Sequence, residues 1–190
     1  TAFATSSSGV PQIKIGTASS DTIFPGAAED LLLGLGGNDY LNGGGSDDIL
    51  DGGAGNDWMG GDAGSDIYLV GRGSGQDSVG NYDTTMGKVD AIQFASGIAS
   101  TDVQTIRRGQ DLVLNLIGTN DRLTVSNYFY NDGSSPYRLE EIRFADGTVW
   151  TIDTVKSLVQ QGTPGNDTLY GYAVADSISG SDGNDTIYGD

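Results

Sequence analysis

Aspartate recurs every nine residues through the first third of the chain, and these carboxylates are the side chains best suited to chemistry. An apolar residue follows each of them two positions later. The aspartates are Asp21, Asp30, Asp39, Asp48, Asp57 and Asp66, and the apolar residues are Ile23, Leu32, Leu41, Leu50, Met59 and Tyr68. A carboxylate supplies a hard, charged oxygen, and the glycines between aspartates leave main-chain carbonyls unobstructed. Calcium takes about six to eight such oxygens, so we expect two stacked loops to share each ion.

Each nine-residue unit, numbered from Gly16 as position one, has its aspartate at position six and its apolar residue at position eight. This pattern predicts a six-residue turn followed by a three-residue strand. Because side chains alternate along a strand, the position-eight residue is predicted to face the interior. A disordered glycine- and aspartate-rich segment is the alternative. Low-complexity sequence does not, however, keep an apolar residue at the same place through six units.

The repeat G-G-x-G-x-D-x-U-x, with U a large apolar residue, resembles the calcium-binding repeat of RTX (repeats-in-toxin) proteins. The match is weaker in the first two units, where Thr17, Ser19, Pro25 and Ala28 replace glycine. The resemblance implies an all-β fold, a right-handed parallel β-roll in which two units make one turn. Loops two units apart then stack. One edge of the roll is expected to carry Asp21, Asp39 and Asp57, and the other Asp30, Asp48 and Asp66.

The same resemblance implies calcium ions between stacked aspartates. The expected pairs are Asp21/Asp39, Asp39/Asp57, Asp30/Asp48 and Asp48/Asp66. Main-chain carbonyls are expected to complete each site, around Gly34, Gly36, Gly43, Gly45, Gly52, Gly53, Gly55, Gly61 and Gly64. With the further turns below, the chain is expected to bind about four to six ions of this oxygen-liganded kind.

Two further stretches repeat the pattern outside the uninterrupted block. Residues 72–80 fit it with Asp77 at position six, but they are offset by two residues. This segment is either a seventh, bulged turn that pairs with Asp57 or an ordinary loop. The pattern resumes at residue 162, with Asp167, Asp176 and Asp185. The first and last of these are expected to share one ion, whereas the middle one has no later partner.

The period disappears between the two repeat blocks. Short alternating apolar runs, hairpin turns and a short helix are predicted there instead. Residues 89–152 resemble the haemolysin-type calcium-binding-related segment found between RTX blocks, through D-x-I-x-F, L-T-V-x-N-Y-F and E-E-I-R-F-A-D-G-T-x-W. That resemblance implies a β-structured extension of the roll and no catalytic residue. The predicted division is a linker or covering strand (1–15), a first roll block (16–80), a β-rich segment (81–161) and an incomplete second block (162–190).

Composition excludes several classes of function. The 190-residue chain has a formal charge of −17 and contains neither histidine nor cysteine. A Ser-His-Asp triad, a histidine-liganded zinc site and thiol catalysis are therefore excluded within it. Such an acidic surface disfavours nucleic acid and anionic membranes as partners. No apolar run approaches the roughly 18 residues that predict a membrane-spanning helix.

One outer face of the predicted roll is apolar. It comprises Leu31, Leu33, Ile49, Ile67 and Leu69. Monomeric proteins rarely leave a patch of this kind bare. It is predicted either to be covered by residues 1–15 or the middle segment, or to contact a self-assembly or adhesion partner.

The sequence therefore predicts a non-enzymatic calcium-binding β-roll module from a secreted bacterial RTX protein. Its expected role is folding on calcium outside the cell, after type I secretion directed by a C-terminal signal beyond residue 190. One rival is that the chain is the C-terminal part of an extracellular lipase or protease. Another is a structural role, as an adhesin spacer or a self-assembling fibre unit.

Overall fold

A computed structural model describes residues 10–134 and 136–189. These residues form short β-strands, two 3₁₀ segments (Ser100–Asp102 and Tyr130–Gly133) and one α-helix, α1 (Ile152–Val159). The strands are β1 (Ile13–Ile15), β2 (Thr22–Ile23), β3 (Leu31–Leu33), β4 (Tyr40–Gly45), β5 (Ile49–Asp51), β6 (Trp58–Ala63), β7 (Ile67–Val70), β8 (Gln76–Val79), β9 (Ala91–Phe94), β10 (Val103–Arg108), β11 (Asp111–Leu116), β12 (Arg122–Val125), β13 (Glu141–Arg143), β14 (Val149–Thr151), β15 (Thr168–Tyr170) and β16 (Thr186–Tyr188). The all-β prediction is confirmed.

Successive repeat units alternate between two parallel sheets. Strands β1, β3, β5 and β7 are neighbours in one sheet, and β2, β4, β6 and β8 in the other. In the first sheet Leu32 pairs with Leu50, and in the second Leu41 pairs with Met59. Each step along a sheet is therefore two units long, which confirms the predicted 18-residue stacking.

The position-eight side chains form the interior between the sheets. All six are at most 6% exposed: Ile23, Leu32, Leu41, Leu50, Met59 and Tyr68. Burying one such aliphatic side chain contributes about 1.5–3 kcal/mol. The regular apolar residue is thus the source of the core, and it fixes which edge each aspartate occupies.

The middle segment extends both sheets, as its resemblance implied. Strand β9 pairs in parallel with β7 and is followed by β13 and β14. Strand β12 pairs in parallel with β8 and continues antiparallel into β11 and β10. Helix α1 follows β14 directly and buries Val155 and Val159. Both sheets therefore continue from the first repeat block into the middle segment without interruption.

The described part of the N-terminal segment, which was predicted to be a linker or a covering strand, contains one strand. Residues 13–15 form β1, which pairs in parallel with β3 at the edge of the first sheet. They extend the sheet in its own plane and do not lie over its outer face, because their backbone hydrogen bonds are made to Leu31–Leu33. Residues 1–9 lie outside the described part of the chain. The outer apolar face remains partly exposed, with Ile49 at 38%.

The second repeat block forms a small sheet of its own. Strands β15 and β16 pair in parallel, 18 residues apart. Leu169 is buried as predicted, whereas Ile187 is 51% exposed. Among the described residues β16 pairs only with β15, so the interior face around Ile187 is incompletely covered.

Candidate metal centre

The aspartates of alternate units form two vertical columns, one along each edge of the roll. In the first column the backbone N–H of Asp21 donates to Oδ1 of Asp39 (2.8 Å), and that of Asp39 donates to Oδ1 of Asp57 (2.7 Å). The N–H of Asp57 donates in turn to Oδ1 of Asp77 (3.0 Å), 20 residues later. Residues 72–80 therefore form a stacked seventh turn, and the two extra residues are accommodated before it.

The second column has the same construction. The N–H of Asp30 donates to Oδ1 of Asp48 (2.7 Å), and that of Asp48 donates to Oδ1 of Asp66 (2.9 Å). Below this column the N–H of Gln12 donates to Asp30 (2.6 Å). Above it the N–H of Asp66 donates to Oδ1 of Asp90 (2.9 Å), 24 residues later. Asp90 was not among the predicted site residues, because the longer spacing hides it from a nine-residue period.

The second carboxylate oxygen, Oδ2, has no hydrogen-bond partner in five of these aspartates. We call these buried atoms the bare oxygens; they belong to Asp30, Asp39, Asp48, Asp57 and Asp66. Burial raises the pKa of Asp48 and of Asp66 to about 7, and it also raises the pKa of Asp39 and Asp57. Burying an unpaired charge is unfavourable unless a cation or proton compensates it. The bare oxygens therefore favour a bound cation.

A glycine at position one leaves room for four of the five bare oxygens, whereas Pro25 stands at this position before Asp30. A Cβ atom built on Gly34 would clash with Oδ2 of Asp39 and with the carbonyl oxygen of Gly52. A Cβ on Gly43 would clash in the same way with Oδ2 of Asp48. The predicted Gly52 and Gly61 repeat this relationship with Asp57 and Asp66. At Gly34 and Gly43, position one thus places a carboxylate oxygen beside a main-chain carbonyl oxygen, the kind of donor pair that calcium accepts.

The remaining predicted glycines lie in the stacked turns. Gly53, Gly55 and Gly64 have positive φ, which side chains rarely tolerate. Gly36 forms a parallel bridge to Ala54, and Gly45 pairs with Ala63 at the end of β4. These contacts hold successive turns in register, so carbonyl groups recur at the same height as the carboxylates.

Protein groups satisfy the carboxylate at the start of the first column. Oδ2 of Asp21 accepts hydrogen bonds from the N–H (2.6 Å) and the hydroxyl (2.8 Å) of Thr17. These bonds hold the pKa of Asp21 below its usual value. Beyond Asp77, the paired residue in the next strand is Leu123, and both oxygens of the nearby Asp121 accept backbone N–H groups, from Gly73 (2.8 Å) and Gly75 (3.0 Å). Sequence reasoning missed Asp121, which lies outside the repeat.

The second column ends at a buried ammonium group. Nζ of Lys88 contacts Oδ2 of Asp90 and lies 3.2 Å from Oε2 of Glu140. The Asn81 side-chain amide also donates to Oδ2 of Asp90 (2.8 Å). Glu140 is further paired with Arg138 (2.8 Å). The Lys88 ammonium therefore contacts Oδ2 of Asp90, the atom that is a bare oxygen in the preceding aspartates of this column.

The second block shows a shorter version of the arrangement. The N–H of Asp167 donates to Oδ1 of Asp185 (3.0 Å), which brings these two carboxylates together as predicted from their spacing. Asp176 is instead held by protein donors: Oδ1 accepts from Gln160, and Oδ2 accepts from the N–H of Tyr172 (2.8 Å). Asp176 is thus the predicted site residue that the structure leaves least suited to bind an ion.

Two family models match the chain. One, described as the RTX calcium-binding nonapeptide repeat (4 copies), matches residues 15–41, 24–59, 33–68, 42–77 and 161–190. The other, described as the haemolysin-type calcium binding protein related domain, matches residues 111–154. The chain belongs to the RTX repeat family. RTX repeats bind calcium, so this chain is a calcium-binding module of a bacterial RTX protein.

A curated relative is the iron-regulated protein FrpA of Neisseria meningitidis serogroup C. It is 43% identical over 113 residues, which cover 60% of this RTX chain and 10% of FrpA. The chain thus spans only a small fraction of the relative that it matches.

The geometry of the RTX columns fits calcium by the type of donor available. The steps at Gly34 and Gly43 bring carboxylate and carbonyl oxygens together, and the sequence contains no histidine or cysteine. No group of three or more acidic side chains gathers at one point in residues 10–134 and 136–189. Carbonyl groups must therefore supply much of any coordination sphere.

The sequence predicts no membrane-spanning helix, and the helices of the structure can be compared with that prediction. Within the described residues, no helix is long and apolar enough to cross a membrane.

Proposed function

We propose that this chain is a calcium-binding β-roll module that folds on binding calcium outside the bacterial cell. The observation that carries the proposal is the set of five bare oxygens, each buried and without a hydrogen-bond donor. Calcium at the columns would be held by the position-six aspartates and by carbonyls of the position-one glycines. Its contribution would be to neutralise buried charge, and the residues that stack the turns would position the oxygens.

Charge explains why folding is expected to depend on the ion. The chain carries a formal charge of −17, and folding brings aspartates into columns where backbone N–H groups are the hydrogen-bond donors to Asp48 and Asp66. Like charges held together oppose compaction. A ligand that binds only the folded state stabilises it by about RT ln(1 + [L]/Kd), which grows with the concentration of free calcium. Low calcium would keep the chain extended, and an extracellular level would fold it.

Secretion is part of this proposal. A chain that stays unfolded where calcium is scarce suits export through a type I pathway, followed by folding outside. Calcium sites of the weak extracellular class bind at about 10⁻⁴–10⁻³ M, well matched to such a switch. The proposal gives the chain no catalytic role; the activity of any longer protein that contains it is a separate question.

Circular dichroism with calcium and with a chelator tests the folding step. The spectrum is expected to change from coil in EGTA to β-structure in millimolar calcium, and magnesium at the same concentration serves as the control. Equilibrium dialysis then counts the ions, with about four to six expected for sites of this oxygen-liganded class. Identical spectra in EGTA and in calcium would overturn the proposal.

A further inference from the structure

The second residue of the nine-residue unit adopts one of two backbone conformations, and which one it adopts differs from turn to turn. In three turns it has ordinary negative φ, and its N–H donates to Oδ2 of the aspartate four residues later. These bonds join Thr17 to Asp21 (2.6 Å), Thr163 to Asp167 (2.6 Å) and Tyr172 to Asp176 (2.8 Å). We call these closed turns, because the chain itself occupies the oxygen.

In the turns that contain the bare oxygens, position two is left-handed. Its φ values are +139° at Gly26, +72° at Leu35, +96° at Gly44, +86° at Gly53 and +66° at Asp62. These residues precede Asp30, Asp39, Asp48, Asp57 and Asp66, in that order, and every one of those aspartates has a bare Oδ2. We call these open turns.

The left-handed conformation is retained even where the residue type disfavours it. Leu35 is 53% exposed and has a Cβ atom, so neither core packing nor glycine chemistry explains its positive φ. Strained backbone of this kind tends to occur where function requires it. At Gly53 the N–H donates to Oδ1 of Asp51 (3.1 Å), away from its own turn. The left-handed residue thus removes the donor that would otherwise close the turn.

Open and closed turns stack equally well. The carbonyl of Thr17, in a closed turn, accepts the N–H of Gly36 (3.1 Å), two units later. The carbonyl of Leu35, in an open turn, accepts the N–H of Ala54 in the same way (2.9 Å). The difference is therefore local to the carboxylate, because both kinds of turn make the same backbone hydrogen bond to the turn two units later.

We propose that the backbone conformation at position two selects which turns of this chain take a calcium ion. An open turn leaves Oδ2 to the cation, and a closed turn fills it with the chain's own N–H. Both repeat blocks begin with Gly-Thr, at residues 16–17 and 162–163, and there the threonine hydroxyl adds a second donor at 2.8 and 3.0 Å. Gly-Thr thus marks the first turn of a block as one that binds no ion through its aspartate. This inference rests on the proposed calcium binding.

The surroundings of Asp21 are otherwise ready for an ion. A Cβ on Gly16 would meet the carbonyl oxygen of Gly34 at 2.5 Å and Oδ2 of Asp21 at 3.0 Å. The same pairing of carboxylate and carbonyl surrounds Gly34 in the next turn of this edge. Opening the first turn is therefore expected to create a site.

Reciprocal substitutions at position two test the proposal by counting calcium ions. Thr17→Asn introduces a residue that adopts left-handed backbone readily and lacks the hydroxyl, so it should add one ion. Leu35→Thr recreates Gly-Thr in an open turn with a β-branched residue that disfavours positive φ, so it should remove one. Thr17→Ser and Leu35→Asn are the matched controls and should keep the wild-type number. Native mass spectrometry in saturating calcium gives the counts, and circular dichroism confirms that each variant is folded.

The outcomes separate this inference from the proposed function. If the wild type binds no calcium, the proposed function fails and no variant differs from it. If the wild type binds calcium and Thr17→Asn binds the same number, position two does not select ions and the inference is overturned. Should Leu35→Thr fail to fold, the count for Thr17→Asn still decides.

Discussion

The Lys88 ammonium lies against Oδ2 of Asp90, at the end of the second carboxylate column. In Asp48 and Asp66, which precede it in that column, the corresponding oxygen has no partner. Lys88 is well buried, with 7% of its side chain exposed, and Asp90 is completely buried. The middle segment thus ends the column with a cation that is covalently part of the chain, so this step is expected to be independent of calcium.

Lys88→Met should destabilise the protein in saturating calcium. The substitution keeps most of the apolar stem and leaves Asp90 and Glu140 without their ammonium. Breaking a buried ion pair by removing one partner costs about 3–5 kcal/mol. Urea denaturation in excess calcium measures the change in the free energy of unfolding.

Arg143→Met is the matched control for Lys88. Arg143 pairs with Glu141 at 2.7 Å, and both side chains are about one third exposed, at 31% and 34%. Partly exposed pairs contribute about 0–1 kcal/mol, so this variant should unfold close to the wild type. Equal effects of the two substitutions would show that Lys88 is an ordinary surface charge.

Asp48→Ala should weaken calcium binding more than Asp30→Ala. Asp48 has a stacked aspartate on both sides, because it accepts from Asp30 and donates to Asp66. Asp30 has one on a single side, since Gln12 occupies the other. Two sites are therefore expected to lose a ligand in the first variant and one in the second. Calcium titration followed by circular dichroism compares the midpoints, and equal midpoints would argue against sharing of ions along the column.

Gly43→Ala should raise the calcium midpoint, although it adds only a methyl group. That methyl group would lie on Oδ2 of Asp48, the oxygen proposed to bind the ion. Overpacking of this kind costs about 1–3 kcal/mol, and about 1.4 kcal/mol corresponds to a tenfold change in affinity. Gly71→Ala is the control, because a Cβ there meets nothing closer than Ala95 at 3.8 Å. The same titration tests both, and a wild-type midpoint for Gly43→Ala would remove position one from the site.

The repeated residues predicted much of the fold and of the site. The nine-residue period alone predicted that Leu32 and Leu50 are buried. The period and the family resemblance together predicted that Asp30 stacks on Asp48. Asp90 escaped prediction because 24 residues separate it from Asp66, although Asp90 and Ile92 repeat the local spacing of aspartate and apolar residue.

Backbone conformation and long-range partners could not be predicted in the same way. Leucine at position 35 carries no signal for its φ of +72°, because leucine rarely adopts left-handed backbone. The pairing of Lys88 with Glu140 joins residues 52 positions apart in sequence. Such contacts depend on how the middle segment closes over the roll, and no short-range pattern specifies them.

Without calcium, the folded state should become less stable as pH rises. Burial raises the pKa of Asp48, Asp66 and Asp77 to about 7, from an unfolded value of 3.8. Between these values the folded state holds more protons than the unfolded state, so the free energy of unfolding falls with increasing pH. The contribution of these groups is fully present below pH 3.8 and is lost as pH rises through about 7. Circular dichroism in calcium-depleted buffer at pH 5 and pH 8, roughly either side of that transition, compares the β-structured fraction, which is expected to be larger at pH 5. Asp48→Asn should flatten the dependence, whereas Asp146→Asn, at a residue whose pKa is held low by Thr148, should not. A calcium-free protein that is more stable at the higher pH would contradict the burial of protonated carboxyl groups in these columns.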